Sequence, residues 1–538
     1  MFRPSFVLLL CAISVNGEYY SATSQLEKLL DVEAFMVEKF DEYLERAQKE
    51  QDNLKRFMEQ IDEQLQDRDD LDEYFGNPLN AFITISRLVY DWKFNVFDLV
   101  LNSSNFETYR STLSDAFEKI NLTGPNQEDL HGASRALLRL QKVYQLNTDH
   151  LASGVLLPGE RNPLNISLSA SDCFELGKNL CQIKEYSYGS EWLLEARKRL
   201  HGNPTGFVSP NVSDVEILEQ LSPAFSGLGN LKLAHKLNME ILDKKPDHEE
   251  ALKNKVLYEG QLAKARNVIP RKQVDPPQTA EEEPKESFQL YTQLCRGELH
   301  QSPREQRNLR CWLSHQGVPY YRLSPFKFEQ LNLDPYVALV HHVLWDSEME
   351  MIMQHGRGSM ERSKVGQSEN SKIADRRTSQ NTWLWYDVNP WLSRIKQRLE
   401  DVTGLSTESA EPLQLLNYGI GGQYEPHFDF VEDAEKIFGW QDDRLMTAIF
   451  YINDVALGGA TAFPFLRLAV PPEKGSLLMW NNLHSSLHKD YRSKHAGCPI
   501  LQGSKWICTE WFHVGAQELK RPCGLMSEEG KFSHLEDK

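Results

Sequence analysis

Residues 268–286 carry Pro270, Pro276-Pro277 and Glu281-Glu282-Glu283-Pro284. Proline lacks the backbone donor that helix interiors and central strands require, and adjacent like charges repel, so the stretch reads as a solvated linker. Helical periodicity dominates before it and short β-rich runs after it. The chain therefore cannot close as one sheet or one bundle, and the fold class is multidomain α + β. At 538 residues there is material for roughly two to four domains.

Upstream, Phe40, Ala47, Leu54 and Ile61 recur at every seventh position of the charged stretch 26–65, with Met36, Tyr43 and Phe57 on the adjacent row. That pattern predicts an amphipathic helix. Glu50 interrupts its seam, leaving self-association and packing within the chain both open. Helical pattern continues over 80–146, and a separate block covers 168–265. There Leu228-Gly229-Asn230-Leu231, Ala234, Leu242 and Pro246 have the spacing of a tetratricopeptide helix pair, with 174–200 as a degenerate earlier copy. Two copies need neighbouring helices to cap them. Beyond the linker, 336–353 and 391–399 read as helices, whereas 413–416, 446–452, 476–480 and 505–514 read as strands of an antiparallel sandwich or barrel. The expected division is a signal peptide at 1–17, an N-terminal helical region at 18–150, a repeat domain at 151–267, the linker at 268–288 and a β-rich domain at 289–538.

The apolar run from Phe6 to Val15 follows Arg3 and ends in small residues at Gly17, as a secretory signal does. It is much shorter than the ~20 residues of a membrane span, and no later run qualifies. The remaining cysteines are Cys173, Cys181, Cys295, Cys311, Cys498, Cys508 and Cys523, an odd set in which disulfides are permissible. No Cys-x-x-Cys occurs, which excludes the usual zinc spacings. Cys173 and Cys181 fall on one predicted helix, ~12 Å apart by helical rise and too far to bridge. Sequons at Asn102, Asn121, Asn165 and Asn211 are expected glycosylation sites in the same lumen. A formal net charge of −18 disfavours nucleic-acid or anionic-lipid partners.

The stretch Asn417-Tyr418-Gly419-Ile420-Gly421-Gly422-Gln423-Tyr424-Glu425-Pro426-His427-Phe428-Asp429 carries the chemistry. Residues two apart on a strand share a face, so His427 and Asp429 present an imidazole and a carboxylate to one point. A surface pair of that spacing is the common alternative, but His495 in a later β-rich segment supplies a third ligand. Two histidines and a carboxylate form the facial triad of non-haem Fe(II) oxygenases, with positions left for a cosubstrate and O₂. Lys505, opening the next strand, is placed to neutralise the distal carboxylate of 2-oxoglutarate. Strand alternation puts Lys505, Ile507, Thr509, Trp511 and His513 on one face and Cys508 on the other.

Tyr418 to Asp429, Gly458-Gly459-Ala460-Thr461-Ala462-Phe463-Pro464, His495-Ala496-Gly497-Cys498-Pro499 with Lys505-Trp506, and Cys173-Phe174-Glu175-Leu176-Gly177 resemble the collagen prolyl 4-hydroxylase α subunits over nearly the whole chain. The resemblance implies a C-terminal double-stranded β-helix (jelly roll), a tetratricopeptide-like peptide-substrate-binding domain and an N-terminal dimerisation region. It assigns Fe(II) to His427, Asp429 and His495, and 2-oxoglutarate to Lys505 helped by Tyr418 and Thr461. Tyr424, Arg444, Trp511 and His513 would face the substrate, although Arg444 pairing with Asp442 or Asp443, and Trp511 as core, are the structural alternatives. The implied reaction hydroxylates peptidyl proline at C4 in X-Pro-Gly sequences while 2-oxoglutarate is decarboxylated to succinate, with L-ascorbate as reductant.

The same resemblance implies disulfides Cys295–Cys311 and Cys498–Cys523, leaving Cys173, Cys181 and Cys508 as free thiols. It further implies a protein disulfide isomerase β subunit in an α₂β₂ tetramer, in the endoplasmic reticulum lumen. The C-terminal His534-Leu535-Glu536-Asp537-Lys538 is not a retention signal, so retention is expected from the β subunit. Tyr186 and Tyr188 are candidates to stack on a proline-rich peptide, or else are helix core. Pro223 and Ser226 depart from the tyrosines of the family and put ordinary affinity for collagen-like repeats in doubt. A non-catalytic paralogue that binds proline-rich chains or the isomerase is the competing reading, and the intact set of His427, Asp429, His495 and Lys505 opposes it. Hydroxylation of lysine is opposed by Lys505, where lysine-type enzymes carry arginine.

Overall fold

The computed structural model describes residues 48, 51–62, 71–97, 127–157, 167–202, 212–266, 282–356, 359–366, 372, 374–387, 390–419, 421–432, 434–438 and 442–524. The signal-like segment, all of the sequon asparagines and most of the linker lie outside the described residues. Of the heptad stretch, residue 48 and 51–62 are described and are helical, with Phe57 and Ile61 of the predicted apolar rows buried.

The chain divides into two compact units. One draws on Met1–Asp69, Phe82–Ser134 and Ser167–Val268, the other on Asp70–Ala81, Arg135–Ile166 and Ile269–Lys538. The segments 70–81 and 135–150, which the sequence groups with the N-terminal helices, thus belong to the same unit as the sheets.

The first unit contains the helices α1 (Ala170–Gln182), α2 (Tyr186–Gly202), α3 (Asp214–Gly227), α4 (Leu231–Lys244) and α5 (Glu249–Arg266). Ser169 with Asp172, and Ser213 with Glu216, close reciprocal capping boxes at the starts of α1 and α3. Glycine sets the approach of α1 to α2: a Cβ at Gly177 would lie 2.7 Å from Leu193 Cγ and 2.9 Å from the Gly189 carbonyl oxygen. Buried hydroxyl and amide groups tie the later helices, Ser222 Oγ donating to the Ala234 carbonyl at 3.1 Å and Asn238 Nδ2 to the Ala251 carbonyl at 2.7 Å. Pro223 lies inside α3 on its exposed side.

In the second unit, α6 (Glu282–Cys295) begins within the stretch expected to be linker; Pro284 falls in its first turn, where the missing donor costs nothing. Strands follow as β1 (Cys311–Ser314), β2 (Phe326–Asn332), β3 (Val337–His341), β4 (Glu361–Arg362), β5 (Gln380–Leu384), β6 (Leu413–Tyr418), β7 (Tyr424–His427), β8 (Arg444–Tyr451), β9 (Leu457–Gly458), β10 (Thr461–Phe463), β11 (Leu468–Val470), β12 (Leu477–Asn481), β13 (His495–Gly497), β14 (Ile500–Gln502) and β15 (Lys505–His513). The nine-stranded sheet runs β1-β2-β3-β12-β8-β15-β6-β5-β4, a second runs β11-β10-β13-β7, and β14 pairs with β9. All the pairings are antiparallel. This is the architecture of a jelly roll.

Alternation splits the large sheet between two cores. Leu415, Phe450, Met479 and Cys508 pack with Ile352 of α7 (Asp346–Gly356) and Leu399 of α8 (Pro390–Thr403), whereas Leu416, Ile449, Trp480 and Ile507 pack with Phe463 of the smaller sheet. The helix expected over 336–353 is half strand. Val337, Ala338, Leu339 and Val340 are buried on both faces of a central strand, and a continuous apolar run of that kind has no period to tell it from a helix.

Gly177→Ala is expected to destabilise the repeat unit by about 1–3 kcal/mol through overpacking. The loss should appear as a lower urea midpoint by helical circular dichroism, while Gly202→Ala, whose Cβ would meet nothing within 4 Å, leaves the midpoint in place.

Candidate metal centre

β7 ends at His427, β13 begins at His495, and the register of the pair sets these residues opposite each other. Asp429, just past β7, completes a group whose ligand atoms all lie within 4.8 Å of one another. Its carboxylate stands 3.6 Å from His427 Nε2 and 3.4 Å from His495 Nε2. His427 Nδ1 meets the Glu425 carbonyl at 2.8 Å and His495 Nδ1 the Ser493 carbonyl at 3.0 Å. A carbonyl can only accept, so each Nδ1 carries the proton and each Nε2 offers its lone pair.

Burial, then the neighbouring His495, pushes the His427 imidazole well below its ordinary value, keeping it neutral. Burial also opposes the charge on Asp429, but His495, His427, Arg444 and the hydrogen bond from Thr447 together hold its carboxyl down at about 2. A neutral His427 imidazole, the His495 imidazole with its Nδ1 likewise tied to a carbonyl, and an ionised carboxylate, converging at this spacing, fit an Fe(II) ion. Thr447 Oγ1 donates to Asp429 Oδ2 at 2.7 Å and accepts from Asn482 Nδ2 at 2.8 Å, so a buried relay fixes the carboxylate. Sequence reasoning missed both residues. Thr447 shares a strand face with Ile449 and Tyr451, the one signal that could have found it.

Lys505 opens β15 in the same cavity as the triad. It is 2% exposed, its Nζ donates to the Gly459 carbonyl at 2.6 Å, and burial pulls its ammonium down to about 7. The ring centroids of Tyr418 and Tyr451 each lie 5.6 Å from Nζ. Thr461 lines the cavity and shares a 2.8 Å hydrogen bond with Tyr451, a further residue the sequence did not single out.

Tyr424 stacks on the His427 ring at 3.5 Å and 18°, and Arg377 lies over the tyrosine ring at 4.9 Å. Trp511 lines the cavity, and its buried indole nitrogen has no acceptor among the described residues. Arg444 does not line the cavity. It lies over Trp511 at 4.1 Å and pairs with Glu411, not with Asp442 or Asp443, through Nε at 2.5 Å and Nη2 at 3.0 Å. His513 also lies outside the cavity lining, between Asp442 at 2.9 Å and Glu411 at 3.3 Å. Burial opposes its charge, but these carboxylates raise its imidazole and keep the proton on it. Glu411, half-buried, is thus the anion that organises the network behind Trp511. In the other unit, Tyr186 and Tyr188 are half-buried in the first turn of α2, and a Cβ at Gly227 would meet the Tyr186 ring at 2.6 Å.

The cysteine pairing differs from the expectation. Cys295 bonds Cys498, with Cα atoms 5.6 Å apart, while Cys311 and Cys523 are exposed and unpaired. The expected Cys295–Cys311 and Cys498–Cys523 bonds are absent because α6 packs Tyr291 and Leu294 against Ala462 and Ala496 of the smaller sheet, which delivers Cys295 to Cys498. Cys173, Cys181 and Cys508 are free, Cys173 and Cys508 being buried.

Three family descriptions match the chain: "Prolyl 4-Hydroxylase alpha-subunit, N-terminal region" over residues 22–158, "Prolyl 4-hydroxylase peptide-substrate-binding domain" over 170–264, and "2OG-Fe(II) oxygenase superfamily" over 413–513. Prolyl 4-hydroxylase subunit alpha-2 of Caenorhabditis elegans is 33% identical over 537 residues, covering 97% of this chain and 96% of that protein. Subunit alpha-1 of Homo sapiens is 34% identical over 531 residues, covering 94% and 96%. Subunit alpha-1 of Gallus gallus is 35% identical over 532 residues, covering 95% and 99%.

Thr447→Val should weaken metal binding by about tenfold or more, as loss of an outer hydrogen bond to a ligand does. Thr447→Ser should restore it, both read by metal titration. Lys505, protonated below about pH 7 and neutral above, should make 2-oxoglutarate affinity fullest below pH 7 and weaker as pH rises. Calorimetry in buffers of different ionisation enthalpy should detect proton uptake on binding at pH 8, and Lys505→Ala should remove both the uptake and most of the affinity.

Proposed function

The chain belongs to the prolyl 4-hydroxylase alpha-subunit family, and on that premise we propose that it hydroxylates peptidyl proline at C4 in collagen-like X-Pro-Gly sequences, with 2-oxoglutarate converted to succinate. The observation that carries this reading is that His427, Asp429, His495 and Lys505 line one cavity. Fe(II), when held by the triad, supplies the oxidative decarboxylation of 2-oxoglutarate and the transfer of an oxygen atom from O₂.

The chain's own residues set the stage for that chemistry. His427 and His495 are locked by their Nδ1 hydrogen bonds, and Asp429 by the Thr447–Asn482 relay, so the metal-binding face forms without rearrangement. Lys505 takes the distal carboxylate of 2-oxoglutarate in a water-poor pocket walled by Leu416, Ile449 and Ile507, which strengthens the ion pair. Trp511 has an indole N–H free to donate to a peptide carbonyl, and Arg444, clamped by Glu411, fixes the plane of that ring. Arg444 and His513 are positioning residues in this reading. Tyr424, stacked on His427, forms a ring wall suited to a pyrrolidine.

The repeat domain, with Tyr186 and Tyr188, captures extended proline-rich chain in the polyproline II form. The partner is a protein disulfide isomerase acting as β subunit of an α₂β₂ tetramer, with the N-terminal helices as dimerisation region, and L-ascorbate is the reductant. The compartment is the endoplasmic reticulum lumen, a reading supported by the Cys295–Cys498 disulfide, which requires an oxidising environment. Among the described residues no helix is long and apolar enough to cross a membrane.

Co-expression with a disulfide isomerase, followed by a succinate assay with a (Pro-Pro-Gly) repeat peptide, Fe(II), ascorbate and 2-oxoglutarate, tests the assignment. Peptide-dependent succinate and hydroxyproline are expected, and His427→Ala should reduce both to background. A soluble tetramer without peptide-dependent turnover would favour the non-catalytic binder.

A further inference from the structure

The loop Gln502-Gly503-Ser504 leads directly into Lys505, and several groups hold it. From β6, Asn417 Nδ2 donates to Ser504 Oγ at 3.1 Å; from the bend after β8, Asn453 Nδ2 donates to the Ser504 carbonyl at 2.7 Å and Asn453 Oδ1 accepts the Trp506 N–H at 2.8 Å. The remaining hold comes from chain more than four hundred residues upstream. Gly503 N–H donates to the Gly76 carbonyl at 2.5 Å.

The approach is backbone against backbone. A Cβ at Gly76 would lie 2.9 Å from Gly503 Cα, and Gly503 itself has φ +100°, a conformation that disfavours any side chain. The upstream segment is stiff. Asn77 caps the helix Pro78–Ser86 by accepting the Leu79 N–H at 2.9 Å, proline occupies the first helical position, and Asn80 Nδ2 donates back to the Tyr74 carbonyl at 3.0 Å. Phe75 and Gly76, with Asn417, Ser504 and Trp506, border a cavity of about 410 Å³, and Tyr418 lines both this cavity and the one that holds the triad and Lys505. One phenol ring thus stands between the upstream segment and the 2-oxoglutarate site.

We propose that residues 74–81 are a positioning element for 2-oxoglutarate: through the Gly76–Gly503 contact they hold the loop that aims Lys505 at the distal carboxylate. This rests on the assignment of Lys505 made above. A loop released at Gly503 lets the backbone at Lys505 shift, so the ammonium is no longer held where the carboxylate arrives. The metal ligands lie on β7 and β13 and keep their own hydrogen bonds, so metal affinity does not depend on this contact.

The test is Gly76→Ala in the full chain, with Gly132→Ala as control, since a Cβ at Gly132 meets nothing within 4 Å. With Mn(II) in place of iron, calorimetry should give a 2-oxoglutarate Kd about tenfold weaker for Gly76→Ala, unchanged Mn(II) affinity, and wild-type values for the control. Activity should show a raised KM for 2-oxoglutarate with kcat retained at saturation, and amide exchange over 500–506 should speed up. By reciprocity, 2-oxoglutarate binding to the wild-type chain should slow exchange in 74–81, a measurement that survives if the variant fails to fold. An unchanged Kd in a folded Gly76→Ala chain, or no change in 74–81 exchange when 2-oxoglutarate binds the wild type, overturns the inference. If the wild-type chain binds no 2-oxoglutarate, the assignment of Lys505 falls with it.

Discussion

The pairing of β13 with β7 sets His495 across from His427, and the usefulness of the remaining second unit depends on that register. A slip of one residue in either strand would turn its imidazole to the opposite face of the small sheet, away from its partner. The register is held from outside by the disulfide at Cys498 and by Tyr291, whose hydroxyl donates to Gln423 Oε1 at 3.1 Å. It is held from inside by the core in which Phe463 meets Trp480 edge to face at 5.3 Å. The metal site is therefore a product of sheet packing, and its ligands need no strained backbone to converge.

β15 is the second half of the arrangement. Buried along its whole length between β6 and β8, it sends Lys505, Ile507, Thr509 and Trp511 to the cavity, and Trp506, Cys508 and Phe512 to the core beneath α7 and α8. One strand thus presents an amine and an indole to the cavity while anchoring both in apolar packing. Burial of Lys505 disfavours its charge, and in the proposed function the cosubstrate's carboxylate would reverse that preference.

Part of this was legible in the sequence because period-two alternation is a strict rule: Lys505 with Trp511 follows from strand geometry once β15 is placed, whereas Asp429, expected on the strand with His427, joins it from the bend just past β7. The rest was hidden for definite reasons. Thr447 reads as an ordinary β-former, and its role emerges only when Asp429 is brought beside it. Glu411 lies far along the chain from Arg444 and His513, so aspartates adjacent in sequence were the natural but incorrect partners for Arg444. The run at Val337 is apolar on both sides and carries no period. Cysteine pairing is decided by which helix packs on which sheet, and sequence spacing does not encode that.

The unit containing the metal centre is also discontinuous in the chain, taking in Asp70–Ala81 and Arg135–Ile166 as well as everything after the linker. Arg139 donates to the Gly421 carbonyl at 2.7 Å and Tyr144 to the Pro499 carbonyl at 2.5 Å, so these early segments are built into the turns beside both β7 and β13. A protease cut near Pro276 would therefore not release an autonomous catalytic fragment. The piece beginning at the linker would have lost part of its own walls. The linker is a boundary in composition, but the folding unit extends across it, and Asp70–Ala81 and Arg135–Ile166 must wait for strands made after the linker before their own unit can close.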